Sequence, residues 1–188
     1  MTWSSAPWTW PLPESWGVKP MFTVGRESRT RNTGLAENNL LSLSYGRIVQ
    51  KDINASEGLL PESFETYQIV QPDDIVFRFT DLQNDKRSLR SARVDARGII
   101  TSAYMAFTPV GIDPRFFEYQ MRGYDVSKVF YGMGGGLRQS LKYADVRRMP
   151  ILVPPLPEQV RIANFLDRET AKIDTLIEKQ NALIERLR

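Results

Sequence analysis

The sequence predicts an α+β domain followed by one long C-terminal helix. Three observations carry this reading. Short runs rich in β-branched and aromatic residues are separated by turn chemistry. Short helical patterns fall between them without the regular strand–helix alternation of a parallel sheet. Residues 154–188, from PPLPEQVRIANFLDRET onward, keep one helical apolar repeat. The expected division is a domain over 1–153 and a helix over 154–188.

The elements follow in order. Trp3, Trp8, Trp10 and Trp16 crowd the first sixteen residues among prolines, as a segment that docks onto the domain or, alternatively, stacks on bases. LLSLSYGRIVQ, residues 40–50, partly alternates and reads as a strand. YQIVQPDDIVFRF, residues 67–79, reads as strand, turn, strand, with Pro72-Asp73-Asp74 as the turn. GIITSAYMAFT, residues 98–108, reads as another strand. In DPRFFEYQMRGYD, residues 113–125, Asp113 caps a helix, Pro114 occupies its first position and Gly123 is a plausible stop. KYADVRRMP predicts a short helix and ILVPPLP a last strand or extended exit. Pro157 then lies in the first turn of the long helix, with Glu158 suited to its dipole.

Composition narrows the function classes. The 188 residues suffice for one core and an appendage. The chain has no cysteine and no histidine. That removes disulfides, thiolate-ligated metals and every histidine-based triad or general base. No run is apolar enough to cross a bilayer and the N-terminus lacks a signal-peptide layout, so a cytoplasmic protein is expected. The net charge of +3 lies entirely outside the helix, since residues 158–188 hold six basic and six acidic side chains.

Within the helix, positions 162, 166, 169, 173, 176, 180, 183 and 187 alternate steps of four and three, the coiled-coil spacing. They are Ile162, Leu166, Glu169, Ile173, Leu176, Gln180, Leu183 and Leu187, and Phe165, Ile177 and Ile184 widen the stripe. A rod of about 46 Å exceeds what a small domain can cover. The apolar positions Ile162, Leu166, Ile173, Leu176, Leu183 and Leu187 are therefore expected to meet a partner helix, the alternative being a helix folded back on its own domain. The charged residues between them read as a solvated face.

PPLPEQVRIANFLDRETAKIDTLIEKQNALIERLR resembles the conserved region of type I restriction–modification specificity subunits, in which a P-x-P-x-x-E-Q start opens a long helix with an FLDRETAKID-like core. This covers about a fifth of the chain. LPESW, YQIVQPDDIVFRF, GIITSAYMAF and GMGGGLRQSLKYADVRRMPILVPP agree more loosely, in the family's order. The resemblance implies a non-catalytic subunit with two target-recognition domains, each reading half of a split double-stranded DNA site, held apart by two antiparallel helices. It implies modification subunits that methylate adenine with S-adenosylmethionine and restriction subunits that use ATP and magnesium, with no cofactor on this chain. One recognition domain and one helix are present here, so the resemblance implies a fragment or a half-subunit whose helix pairs with a second copy or second half.

On that reading the basic loops are the candidate DNA contacts. RFTDLQNDKRSLRSARVDAR, residues 78–97, supplies Lys86, Arg87, Arg90, Arg93 and Arg97, and alternation prevents Arg90, Arg93 and Arg97 from all sharing one strand face. YGMGGGLRQSLKY, residues 131–143, supplies Gly134 and Gly135 for close backbone approach and Arg138, Gln139, Ser140 and Lys142 as donors. Arg29 and Arg31 form a third patch, and Lys128 with Tyr131 a weaker one. The plainer alternatives are a solvated basic loop and a flexible hairpin. A nuclease reading starts from Pro72-Asp73, but Asn84-Asp85-Lys86 puts asparagine where a second metal-binding carboxylate belongs. A coiled-coil adaptor is the other alternative and leaves the basic loops without a role.

Overall fold

The computed structural model describes residues 11–54, 63–82, 89–133 and 140–187. Its first elements are strands β1 (Gly17–Pro20) and β2 (Gly25–Ser28), then the hairpin β3 (Leu41–Ser44) and β4 (Arg47–Gln50). Next come β5 (Gln68–Val70), β6 (Ile75–Phe77), β7 (Ser91–Arg93), β8 (Gly98–Ile100) and β9 (Met105–Pro109). Helix α1 (Pro114–Val126), the short α2 (Tyr143–Val146), β10 (Pro150–Val153) and the long α3 (Leu156–Leu187) complete the chain. The central sheet is antiparallel, in the order β2-β9-β6-β7, and β1-β10, β3-β4 and β5-β8 are antiparallel pairs around it.

Strand alternation divides the interior in two. Ile75 and Phe77 on β6, with Met105 and Phe107 on β9, face α1 and pack with Phe117, Met121, Phe130 and Ile151. Val76 and Ala106 point to the opposite face and pack with Leu41, Leu43, Val70 and Ile100. All three residues of β6 are buried because it is covered on both sides. Gly98 is required where β8 passes the Asn39 carbonyl, since a Cβ there would sit 2.5 Å from that oxygen.

The structure differs from the sequence reading in three places. Residues 40–50 form a hairpin rather than one strand: Tyr45 and Gly46 both have positive φ, 47° and 76°, as a two-residue primed turn requires. Residues 98–108 split into β8 and β9 around a turn at 101–104, which buried Gln68 fastens by donating from Nε2 to the Thr101 and Tyr104 carbonyls at 3.2 and 2.6 Å. Helix α1 runs past Gly123, and the left-handed residue after it is Lys128, φ 60°. Its start is as read: the Asp113 carboxylate accepts from Arg115 and Phe116 N–H at 2.9 and 3.1 Å. Of the four tryptophans, Trp16 is half-buried and the others lie outside the described residues.

Candidate functional site

Two features stand out, a groove at the end of β2 and the exposed half of α3. The groove starts from alternation. Glu27, Arg29 and Arg31 are spaced by two along an extended segment at the edge of the central sheet, so they share a face. They line a hollow of about 430 Å³ with Thr66 and Gln68, the 102–105 turn, Phe79 and Leu141–Tyr143. Leu141 N–H donates to the Phe79 carbonyl at 3.0 Å, which seats the segment bearing Lys142 at the hollow. Among the described residues, three cations and two tyrosines, Tyr104 and Tyr143, thus face one hollow that holds a single carboxylate, Glu27. Arg147 does not line the hollow; its guanidinium lies 5.3 Å from the Phe22 ring centroid.

The other expected DNA contacts scatter. Lys86, Arg87, Gly134, Gly135, Arg138 and Gln139 lie outside the described residues. Ser140 is exposed beside Leu141 without lining the groove. Arg90 is a correction: it is fully buried, its guanidinium donates to the Thr80 and Asp81 carbonyls at 3.3 and 3.4 Å and its Nε to Tyr131 Oη at 3.4 Å, and its N–H binds the Asp125 carboxylate. It supports the interior rather than facing a ligand. Arg93 points toward α1 and is enclosed by Asp73 at 2.9 Å, Asp95 at 3.0 Å and Glu118 at 3.5 Å. Arg97 pairs with Glu37 at 3.0 Å on the β7–β8 turn, with half its side chain exposed, and does not line the groove. Lys128 Nζ lies 4.8 Å from the Tyr131 ring centroid. Glu27, Tyr104 and Tyr143 escaped the sequence reading. Alternation within RESRTR was the signal for Glu27, whereas the tyrosines reach the groove only through long-range packing.

Asp73, the start of the nuclease reading, is a turn residue with φ 71° whose carboxylate holds Arg93, and Asn84–Lys86 lie outside the described residues. Among the described residues no three carboxylates are grouped to hold a metal ion.

Helix α3 is docked for its first half and bare for the rest. Its first turn carries Gln159, buried, whose Oε1 accepts from Asp113 N–H at 2.8 Å and whose amide donates to the Pro154 carbonyl at 2.7 Å. Arg115 reaches Asn164 and Asp167, each at 2.9 Å, and Tyr119 Oη donates to Asp167 at 2.8 Å. Arg47, beside the hairpin tip, pairs with Asp174 at 2.9 Å. Packing therefore runs across Pro154–Pro155 although the chain changes there from strand to helix. Two expected pairing residues lie on this docked part: Ile162 packs against the main core of its own domain, a correction, and Leu166 is half-buried beside the hairpin tip. Ile173, Leu176, Leu183 and Leu187 are exposed, Leu176 by 63% and Leu183 by 55%, as are Phe165, Ile177 and Ile184. No described helix is long and apolar enough to cross a membrane.

Residues 113–186 match the family model described as "Type I restriction modification DNA specificity domain". The fold is similar to a chain from a structure on complex assembly and conformational transition of the type I R-M system (TM-score 0.58, 16% identity, 88% of this chain and 41% of that one). It is also similar to the HsdS subunit from Thermoanaerobacter tengcongensis (TM-score 0.57, 16% identity, 90% and 41%). A type I restriction–modification S subunit from M. genitalium gives a TM-score of 0.56 at 12% identity, over 90% and 43%. The chain thus spans about two fifths of the length of these structures. No curated protein matches it in sequence. Residues 113–186 are thus similar to the type I restriction modification DNA specificity domain, in a chain whose fold is similar to that of the specificity subunits.

Proposed function

We propose that the chain is the DNA-sequence recognition unit of a type I restriction–modification specificity subunit and performs no chemistry itself. The observation that carries this is the convergence of Arg29, Arg31 and Lys142 on one groove with Tyr104 and Tyr143. Side chains of this kind suit a duplex: cations neutralise phosphates and set register, while guanidinium forks and hydroxyls reach base edges. The bare half of α3 supports a second element of the reading, a rod that pairs with the matching helix of a second copy or second half. Two copies related by a two-fold axis would present two grooves to an inverted repeat. Modification subunits would bring adenine methylation with S-adenosylmethionine, and restriction subunits ATP-driven, magnesium-dependent cleavage.

The test is the triple variant R29A/R31A/K142A. It should weaken duplex binding and lower the slope of log affinity against log salt by about 2 or more, near 0.9 per lost phosphate contact. All three side chains are exposed, so folding should be unaffected. Unchanged affinity with an unchanged slope would move the DNA contact away from this groove.

A further inference from the structure

Resting on the DNA-recognition reading, we infer that Arg29 reads a guanine of the target site and that Glu27 is the positioning residue that aims its fork. The observation is a pairing on an exposed edge. Arg29 Nη2 lies 3.0 Å from Glu27 Oε2, with the arginine side chain 77% exposed and the glutamate only 19%. The carboxylate is sunk in the groove wall and the guanidinium extends over it toward open solvent.

Electrostatics makes this arrangement informative. A carboxylate in a phosphate-binding groove opposes the ligand's charge, and Glu27 is the one acidic side chain among the described residues lining this hollow. A phosphate contact needs only positive charge and tolerates many rotamers, so a carboxylate beneath it weakens it. Reading guanine needs two parallel N–H donors aimed at O6 and N7 in the plane of the base. A carboxylate that binds one edge of a planar guanidinium fixes that plane and leaves the other donors for the base. Strand geometry adds the placement. Glu27 and Arg29 share a face because they are two apart. β2 is the edge strand of the central sheet, so no neighbouring strand in that sheet covers its outer side. Among the described residues, Arg31, next on the same face, and Lys142 have no acidic partner lining the hollow with them other than Glu27, which Arg29 occupies. They supply the charge that holds phosphates.

The experiment selects preferred sites from a randomised duplex library with the full chain together with a type I modification subunit. The variants are R29K, R29A and E27Q. The selected site should contain a guanine whose preference over other bases falls about 10- to 100-fold in R29K, which keeps the charge and loses the fork. E27Q should relax the same position in part and leave the salt slope unchanged. 7-Deazaguanine at that position should weaken wild-type binding and make no difference to R29K. Two results overturn the inference while leaving the DNA-recognition reading in place. One is an R29K variant with the full guanine preference, together with R29A weakening all sequences alike and lowering the salt slope by about one, which makes Arg29 a phosphate contact. The other is E27Q relaxing no position while R29K does, which removes Glu27 from the role. A wild-type chain that selects no sequence at all sinks the DNA-recognition reading itself, and with it this one. Melting temperatures of all three variants are expected to match wild type, because the Arg29 side chain is exposed and E27Q keeps the shape of the glutamate.

Discussion

Gln159 joins the starts of two helices: its Oε1 accepts the Asp113 N–H at 2.8 Å, directly before α1, while its amide donates to the Pro154 carbonyl, two residues before α3. One buried side chain thus fixes where the rod leaves the domain. In Q159A both backbone groups lose that partner, at a cost of about 1–3 kcal/mol. Thermal unfolding should show a fall of roughly 2–10 °C for a chain of this length. A variant as stable as wild type would mean that the rod's seat rests on Arg115, Tyr119 and Asp167 alone.

Arg90 separates a folding role from a binding one. Removing its guanidinium should destabilise the domain by about 2–4 kcal/mol, because buried carbonyls and the Tyr131 hydroxyl lose charge-assisted hydrogen bonds. R90A should therefore lower the melting temperature while leaving DNA affinity unchanged at temperatures where it is folded. Paired melting and binding measurements check this, and a lost affinity at full stability would return Arg90 to the contact set.

Glu37 makes stability acid-sensitive. Its carboxyl is held below the usual carboxylate range chiefly by the Asn39 N–H, with the Asn38 N–H and the Arg97 guanidinium adding to it and partial burial opposing. A depressed folded pKa contributes stability that is complete above the unfolded value and lost as pH falls through the folded one. E37Q should therefore melt below wild type at pH 7, and the gap should close as pH falls past about 4 toward 3. Melting curves across that range decide it, and a gap that persists at pH 3 would assign the effect to lost packing.

How much was legible depends on how local each signal is. Asp113 and Pro114 announce α1 within three residues, and the heptad steps of α3 are carried by the helix itself. The hairpin was hidden because Tyr45 takes a positive φ that its sequence does not advertise, although Gly46 beside it does. The split between β8 and β9 depends on Gln68, about thirty residues upstream. Arg90 was misjudged for a related reason. A basic run looks solvated until the fold turns one member inward, and only Asp125 and Tyr131, distant in sequence, disclose that it does. The groove has the same character, since Arg31 and Lys142 line one hollow only after β2, β9 and the 141–143 segment have assembled.

The bare half of α3 gives the last prediction. Leu176, Ile177, Leu183, Ile184 and Leu187 stand between 45% and 78% exposed on one helix, beyond Asp174, which pairs with Arg47. Burying a leucine contributes about 1.5–3 kcal/mol, so a paired helix gains substantially from each one covered. In L176S/L183S each chain of a symmetric pair loses two such side chains. Self-association should weaken by at least about two orders of magnitude. The domain itself should melt as before, because neither leucine touches its core. Sedimentation equilibrium at micromolar concentration reads both chains directly. A wild-type chain that stays monomeric there places the partner helix on another polypeptide, and the same variant should then fail to join that subunit. A wild-type dimer that survives both substitutions intact would put the seam elsewhere and leave this stripe without its assigned role.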